Sequence, residues 1–450
     1  MRNTKIITIL ILSLFLLSGC KKEEVQEQPK EQQEVFTVYK APEKLSTRPT
    51  KEITTFINLD NSKTIIEGSG AIFKDNTLTI TSSGVYEIKG TLKEGQIIID
   101  AKESDIIELV LSGVNIKAKT NSALNIKSAK EVLITLSDKT KNTFEDAKNF
   151  IFDKDEKPNS TIYSTAQLNI GGKGTLIVNS NFKHGINSTK NIIIEDGVIE
   201  INSQHDSIKS KENIAILGGS FNISSGDDGM QADKTLIIND GDININECVE
   251  GIEGTVVQIN NGSIKINSND DAINAKVGIE ELEQYNTNRG NKYVYIEINN
   301  GTIEANGNGD VIDSNGDVYI NGGTIKLHGQ NKIEEGAIIC TGTVIIKSGE
   351  LIFTGNIGQE LHTESQPIII FKTKELKNKK STITIKDKND KTIMSLKTKK
   401  DYQRIGITSS KLINGETYKI YINKKLVKEI KINKKIIAID EQGKRIDYGY

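Results

Sequence analysis

The chain has 450 residues, with 58 Lys and Arg against 60 Asp and Glu, a net charge of −2 and 36% hydrophobic residues. That length allows one long domain or two to three ordinary ones, and so balanced a charge gives no reason to expect a nucleic-acid partner. Trp is absent and Pro numbers 5, which suits a fold whose interior strands are paired on both edges.

At the N-terminus, Arg2 and Lys5 precede an apolar stretch from Ile6 to Leu17, followed by Leu17-Ser18-Gly19-Cys20. The stretch is too short to span a bilayer. It resembles a bacterial lipoprotein signal, which implies cleavage after residue 19, lipid on Cys20 and an outward-facing, membrane-anchored protein. Residues 20–50 are Lys, Glu, Gln, Thr and Pro with few apolar groups, and read as a disordered tether.

From residue 51 to about 362 the chain reads as a repeat. The quartets His205-Asp206-Ser207-Ile208, Asp227-Asp228-Gly229-Met230, Val249-Glu250-Gly251-Ile252 and Asp270-Asp271-Ala272-Ile273 place an apolar residue at steps of 22, 22 and 21, with an acid two residues before it. Gly309-Asp310-Val311-Ile312 continues the pattern downstream, then Ile338; Ile186, Ile162 and Leu124 continue it upstream. The longer steps in this series are either one coil with an insertion or a longer coil. A fixed period in this range marks a solenoid.

Each period holds short β-branched alternations, such as Ile192-Ile193-Ile194 and Val198-Ile199-Glu200-Ile201, broken by Asp196-Gly197, Asp240-Gly241, Asn261-Gly262 and Asn300-Gly301. These are strand and turn signals, and no helical periodicity competes. Leucine-rich repeats need a leucine framework, and a Ca²⁺ β-roll needs tandem Gly-rich nonapeptides; the chain has neither. The expectation is an all-β parallel β-helix of about 21–22 residues per coil.

In such a fold, residues one period apart stack at about 4.8 Å. Asp206, Asp228, Glu250, Asp271 and Asp310 then form a column, doubled by Asp227 and Asp270. Three residues further on stand Gln231, Glu253, Asn274 and Asp313. Like charges at this spacing repel and raise each other's pKa, whereas a Ca²⁺ with oxygen bonds of about 2.3–2.6 Å fits between adjacent coils. Asp227, Asp228, Glu250, Glu253, Asp270, Asp271, Asn274, Asp310 and Asp313 are therefore the expected Ca²⁺ ligands. On the Asp206 coil, Lys209 fills the corresponding position and is expected to neutralise Asp206 without metal. Asp-Gly and Asp-Asp are also good turn formers, which accounts for single pairs but less well for their vertical repetition.

Cys248 and Cys340 fall in different phases of the coil and about 14 Å apart along the stack, too far for a disulfide; two free thiols are expected. Beyond residue 362 the repeat fades. Residues 366–450 hold 22 Lys and Arg against 9 Asp and Glu, a net +13, which leaves −15 for the rest of the chain. Alternating runs such as Ser381–Ile385 and Tyr418–Ile422 predict a small antiparallel β unit over 363–450 that caps the last coil. Its lysines read as a solvated face, or as a surface drawn to an anionic membrane or wall polymer.

Several segments resemble the bacterial carbohydrate-binding β-helix proteins of cellulolytic clostridia, related in fold to polysaccharide lyases. They are Ser83–Leu92, Gly172-Lys173-Gly174-Thr175-Leu176 before His184-Gly185-Ile186, Asp227–Ala232 and Asn269–Ala275. The resemblance covers roughly residues 50–430. It implies a right-handed parallel β-helix, bound Ca²⁺ and affinity for an acidic polysaccharide such as polygalacturonate. The coils of Asp206, Glu250 and Asp310 depart from the family's Asp-Asp-Gly-Ile.

A lyase would need a base near the metal, and no catalytic residue stands out. Lys209, Lys211, Lys234 and Lys276 lie near the column and read as ordinary lysines on solvated coils. Tyr285 and Arg289, in an insertion around residues 278–292, are the candidates for contact with glycan. Binding without cleavage is the leading expectation, with a polysaccharide lyase and a non-catalytic scaffold or adhesin as alternatives.

Overall fold

The structure, a computed structural model, describes residues 39–42, 52–152, 157–277, 293–332, 334–358 and 360–448. Cys20, Tyr285 and Arg289 lie outside them. Among the described residues every regular element is a strand.

Successive strands pair in parallel with strands one coil further on, as in a parallel β-helix. The apolar column runs in register: Leu124 pairs with Ile162, Ile162 with Ile186, then Ile208, Met230, Ile252, Ile273 and Ile312 in turn. All are fully buried. The long steps are thus single coils with insertions, because Ile273 pairs directly with Ile312. One hydrophobic core runs through the coils from Ile57 to Ile370. β-Branched side chains fill it because they suit a pleated surface packed on both sides.

Two further columns shape one corner. Gly197, Gly219, Gly241, Gly262, Gly301 and Gly323 adopt positive φ, and a Cβ on each of the last five would press on the backbone of the glycine below. Only glycine tolerates both the backbone angle and the contact. Beside them, Asn260 donates to Asn239 at 2.8 Å, Asn299 to Asn260 at 2.8 Å and Asn321 to Asn299 at 2.7 Å. An amide carries both a donor and an acceptor, so a stack of them satisfies itself where a stack of carboxylates does not.

A short segment inside the expected tether is ordered on the coils. Tyr39 and Ala41 pack against Ile193, Ala215 and Leu217. Ile193 and Ala215 share a register column with Ile237 on the outer side of the coils. All three are buried, and an outward apolar stripe of this kind requires a cover.

At the other end, strand Tyr402–Thr408 pairs antiparallel with the coil strand Glu350–Thr354 and with Ile368–Lys377, which runs parallel to Ile436–Asp440. A separate antiparallel sheet has the order Thr392–Lys397, Thr382–Lys386, Thr417–Ile422, Lys425–Lys431. A second core, including Ile352, Phe371, Ile385 and Ile407, joins these strands to the last coils. Gly406 is required where the Phe353 ring lies against its Cα. The expected antiparallel cap is present, and Cys248 and Cys340 are free thiols.

Ile252→Ala removes apolar volume between Met230 and Ile273, where neighbouring coils cannot close the gap. The expected loss is about 2–5 kcal/mol of unfolding free energy, read from urea denaturation; an unchanged midpoint would count against the stacked core.

Candidate functional site: a carboxylate face

The acids sit at the bend just before the apolar column. Main-chain bonds stack them: the Gly229 N–H donates to the Glu250 carbonyl at 2.8 Å, Gly251 to Asp271 at 3.0 Å and Ala272 to Asp310 at 3.1 Å. The positions three residues on are also in register, with Lys209 beside Gln231, then Glu253, Asn274 and Asp313.

The doubled acids divide. Asp228 and Asp310 are buried, while Asp270 is exposed and Asp227 half-exposed. Asp227 faces His205 at 3.3 Å. Asp206, 1% exposed, is held by His184 Nδ1 at 3.2 Å and Lys209 Nζ at 2.7 Å. Burial alone would raise its pKa, but His184 and Lys209 carry it well below the usual carboxylate range. The expected internal neutralisation by Lys209 is therefore present.

The next acids are differently placed. Among the described residues, carboxylate oxygens of Asp228, Glu250 and Glu253 lie within 4.8 Å of one another, as do ligand atoms of His205, Asp206 and Asp227. The second set already has His184 and Lys209 as partners. In the first set, Gln231 donates to Glu253 at 2.7 Å and Asn274 to Glu250 at 2.9 Å. Lys276 Nζ lies 2.6 Å from Glu253 and 3.2 Å from Glu250. Lys276 is thus bound to the acids, in contrast to the solvated coil expected for it. Sequence spacing places its Cα but does not show that its long stem folds back along the column.

Among the described residues, the Lys276 ammonium does not balance this face. Asp228, Glu250, Glu253, Asp270, Asp271, Asp310 and Asp313 all lie along it. Burial, then the neighbouring charges of Glu253 and Asp206, pushes Asp228 up to about 8. Burial likewise raises Asp310 to about 8 and Asp271 to about 7, although each accepts a main-chain N–H, from Gly336 and Asp310 respectively. Asp313 rises to about 6 by burial. Glu250 is raised by burial and by Glu253. Near Gly309, the Oδ1 atoms of Asp270 and Asp271 converge where a Cβ would stand. The Asn274 Oδ1 is buried without a hydrogen-bond partner among the described residues.

The fold and this face define a parallel β-helix bearing a stacked, under-neutralised carboxylate surface. Residues 74–336, more than half of the chain, match the family described as carbohydrate-binding domain-containing protein, and the chain belongs to that family. A relative of the same description from Acetivibrio thermocellus is 35% identical over 157 residues, which cover 34% of this chain and 55% of the relative. The chain thus spans about half the length of that relative. A solved structure described as the polysaccharide lyase-like protein from C. thermocellum, gadolinium derivative, aligns with 28% identity and a TM-score of 0.46, over 65% of this chain and 97% of that one.

The pH dependence follows from the raised carboxyls. Folded Asp228, Asp271 and Asp310 retain protons that the unfolded chain releases near pH 4, so the folded state binds more protons between about pH 4 and 8. Their stabilising contribution is complete below the unfolded pKa and is lost as pH rises through the folded values. In chelator, the melting temperature should fall between about pH 5 and pH 8. A rise over that interval would contradict the assigned burial.

Proposed function

We propose that this protein is an outward-facing lipoprotein, anchored through Cys20, that binds an acidic, polygalacturonate-like polysaccharide through Ca²⁺ on its carboxylate face and does not cleave it. The observation that carries this reading is the excess of buried carboxylates over the ammonium of Lys276 among the described residues. The family's description supports carbohydrate as the ligand class.

The donor set fits the ion. It is all hard oxygen, it includes the converging carboxylates of Asp228, Glu250 and Glu253, and the unpartnered Asn274 Oδ1 adjoins it. These are ligands for Ca²⁺ in preference to zinc or copper. Asp270, Asp271, Asp310 and Asp313 extend the same chemistry to the next coils. Bound Ca²⁺ would offer free coordination positions to uronate carboxylates.

Lys276 is the one feature that favours a lyase, since a basic side chain beside the metal is what proton abstraction needs. Its pairing argues against the role: the ammonium is held by Glu253 and Glu250, which outweigh burial and raise its pKa above the ordinary lysine value in the metal-free face. A general base works best with a pKa near the operating pH.

Three outcomes test the reading. Ca²⁺ should raise the melting temperature, because a ligand of the native state stabilises it, and Asp228→Asn should shrink the rise. Retention on polygalacturonate should fall with EGTA, and no ultraviolet-absorbing unsaturated product should accumulate; product formation lost in Lys276→Met would make the protein a lyase. Labelling with a fatty-acid analogue should disappear in Cys20→Ser, and persistence of the label would remove the anchor from the proposal.

A further inference from the structure

A polar cavity of about 460 Å³ lies where the last coils meet the C-terminal unit. Its volume falls within the range of small-molecule sites. The amides of Asn306, Asn308 and Gln330 line it from the coils, and Lys379, Lys399 and Lys400 line it from the C-terminal unit.

The lysines are not equivalent. Lys399 Nζ is paired with Glu304 at 2.9 Å. Asp401, the acid at the rim, accepts the Lys379 main-chain N–H at 2.6 Å. Lys400 Nζ is buried and has no hydrogen-bond partner among the described residues. Burial lowers its pKa to about 8, so it is still mainly charged at neutral pH. Asn306 Oδ1, in the same cavity, is also buried without a partner.

A buried ammonium and a buried carbonyl oxygen each left unsatisfied are unfavourable. Their needs are complementary in one respect: the first requires an anionic acceptor, the second a donor. An inorganic anion would answer only Lys400, and a neutral sugar only Asn306. A hydroxylated carboxylate answers both. We propose that this cavity is a Ca²⁺-independent subsite for an acidic sugar residue, whose carboxylate pairs with Lys400 and whose hydroxyl donates to Asn306. The inference rests on the acidic-glycan reading of the carboxylate face and assigns a separate place and a separate mode of recognition. It also gives the +13 charge of residues 366–450 a focus beyond a solvated surface.

The test is calorimetric titration of the full protein with trigalacturonate, its methyl ester and inorganic sulfate, in EGTA and in Ca²⁺. In EGTA, wild-type protein should bind the free acid and bind the methyl ester and sulfate at least tenfold more weakly. Lys400→Met should lose at least tenfold in affinity for the acid in EGTA, and Lys400→Arg should retain it. If the acid binds in Ca²⁺ but no better than its ester in EGTA, the subsite is wrong and the carboxylate-face reading stands. If the acid binds in neither condition, both fall. The ester comparison uses wild-type protein and so holds even where a variant fails to fold.

Discussion

Parallel coils one strand spacing apart place like residues on like. That constraint organises the whole β-helix. For isoleucine it is favourable, because each side chain packs on another of the same shape. For asparagine it is favourable because Asn260 and Asn299 each take a hydrogen bond from the coil above and give one to the coil below, between Asn321 and Asn239. For glycine it permits contact of main chain on main chain. For carboxylates alone it is unfavourable, since each rung repels the next.

The acid face is where the fold works against itself, and it is handled differently along its length. At Asp206 the chain supplies the Lys209 ammonium and the ring of His184, whose pKa burial lowers. At Glu250 and Glu253 it supplies Lys276 and the amides of Gln231 and Asn274. At Asp271 and Asp310 it supplies main-chain N–H groups, which do not offset burial. Asp228, Asp271 and Asp310 are all left under-compensated, and the later coils also carry the cavity of Lys400. Two different surfaces lie close in sequence there: Asn306 and Asn308 line the cavity, and Asp310 and Asp313 belong to the acid face.

Much of the fold was legible in the residues because a coil length near 22 is a strong constraint. Once Ile208, Met230 and Ile252 are spaced alike, register follows, and Leu124 and Ile162 are placed correctly across an insertion. The stacking of the acids was legible for the same reason. Their division into Asp228 turned inward and Asp227 outward was not, because two consecutive residues point to opposite sides only after the bend is known. Lys276 was not distinguished from the other lysines near the column, and Lys400 was not singled out, for a related reason. Lysine is abundant, and what distinguishes these two is where a flexible stem ends. The asparagine stack could have been found: Asn239-Asp240-Gly241, Asn260-Asn261-Gly262 and Asn299-Asn300-Gly301 repeat in one phase. Tyr39 and Ala41 could not, since nothing in a polar tether shows that Ile193 and Ala215 need covering.

The antiparallel strand Tyr402–Thr408 has a consequence for solubility. A stack of parallel coils ends in a row of free N–H and C=O groups, which is a template for the first coil of another molecule. Head-to-tail growth would require that row to accept a strand running in the same direction. On the Glu350–Thr354 side the protein fills the row with a strand running the opposite way, and seals it further with the Phe353 ring under Gly406. A reversed strand cannot be continued by a copy of the coil, so on that side the repeat that builds the molecule cannot go on to build a fibre.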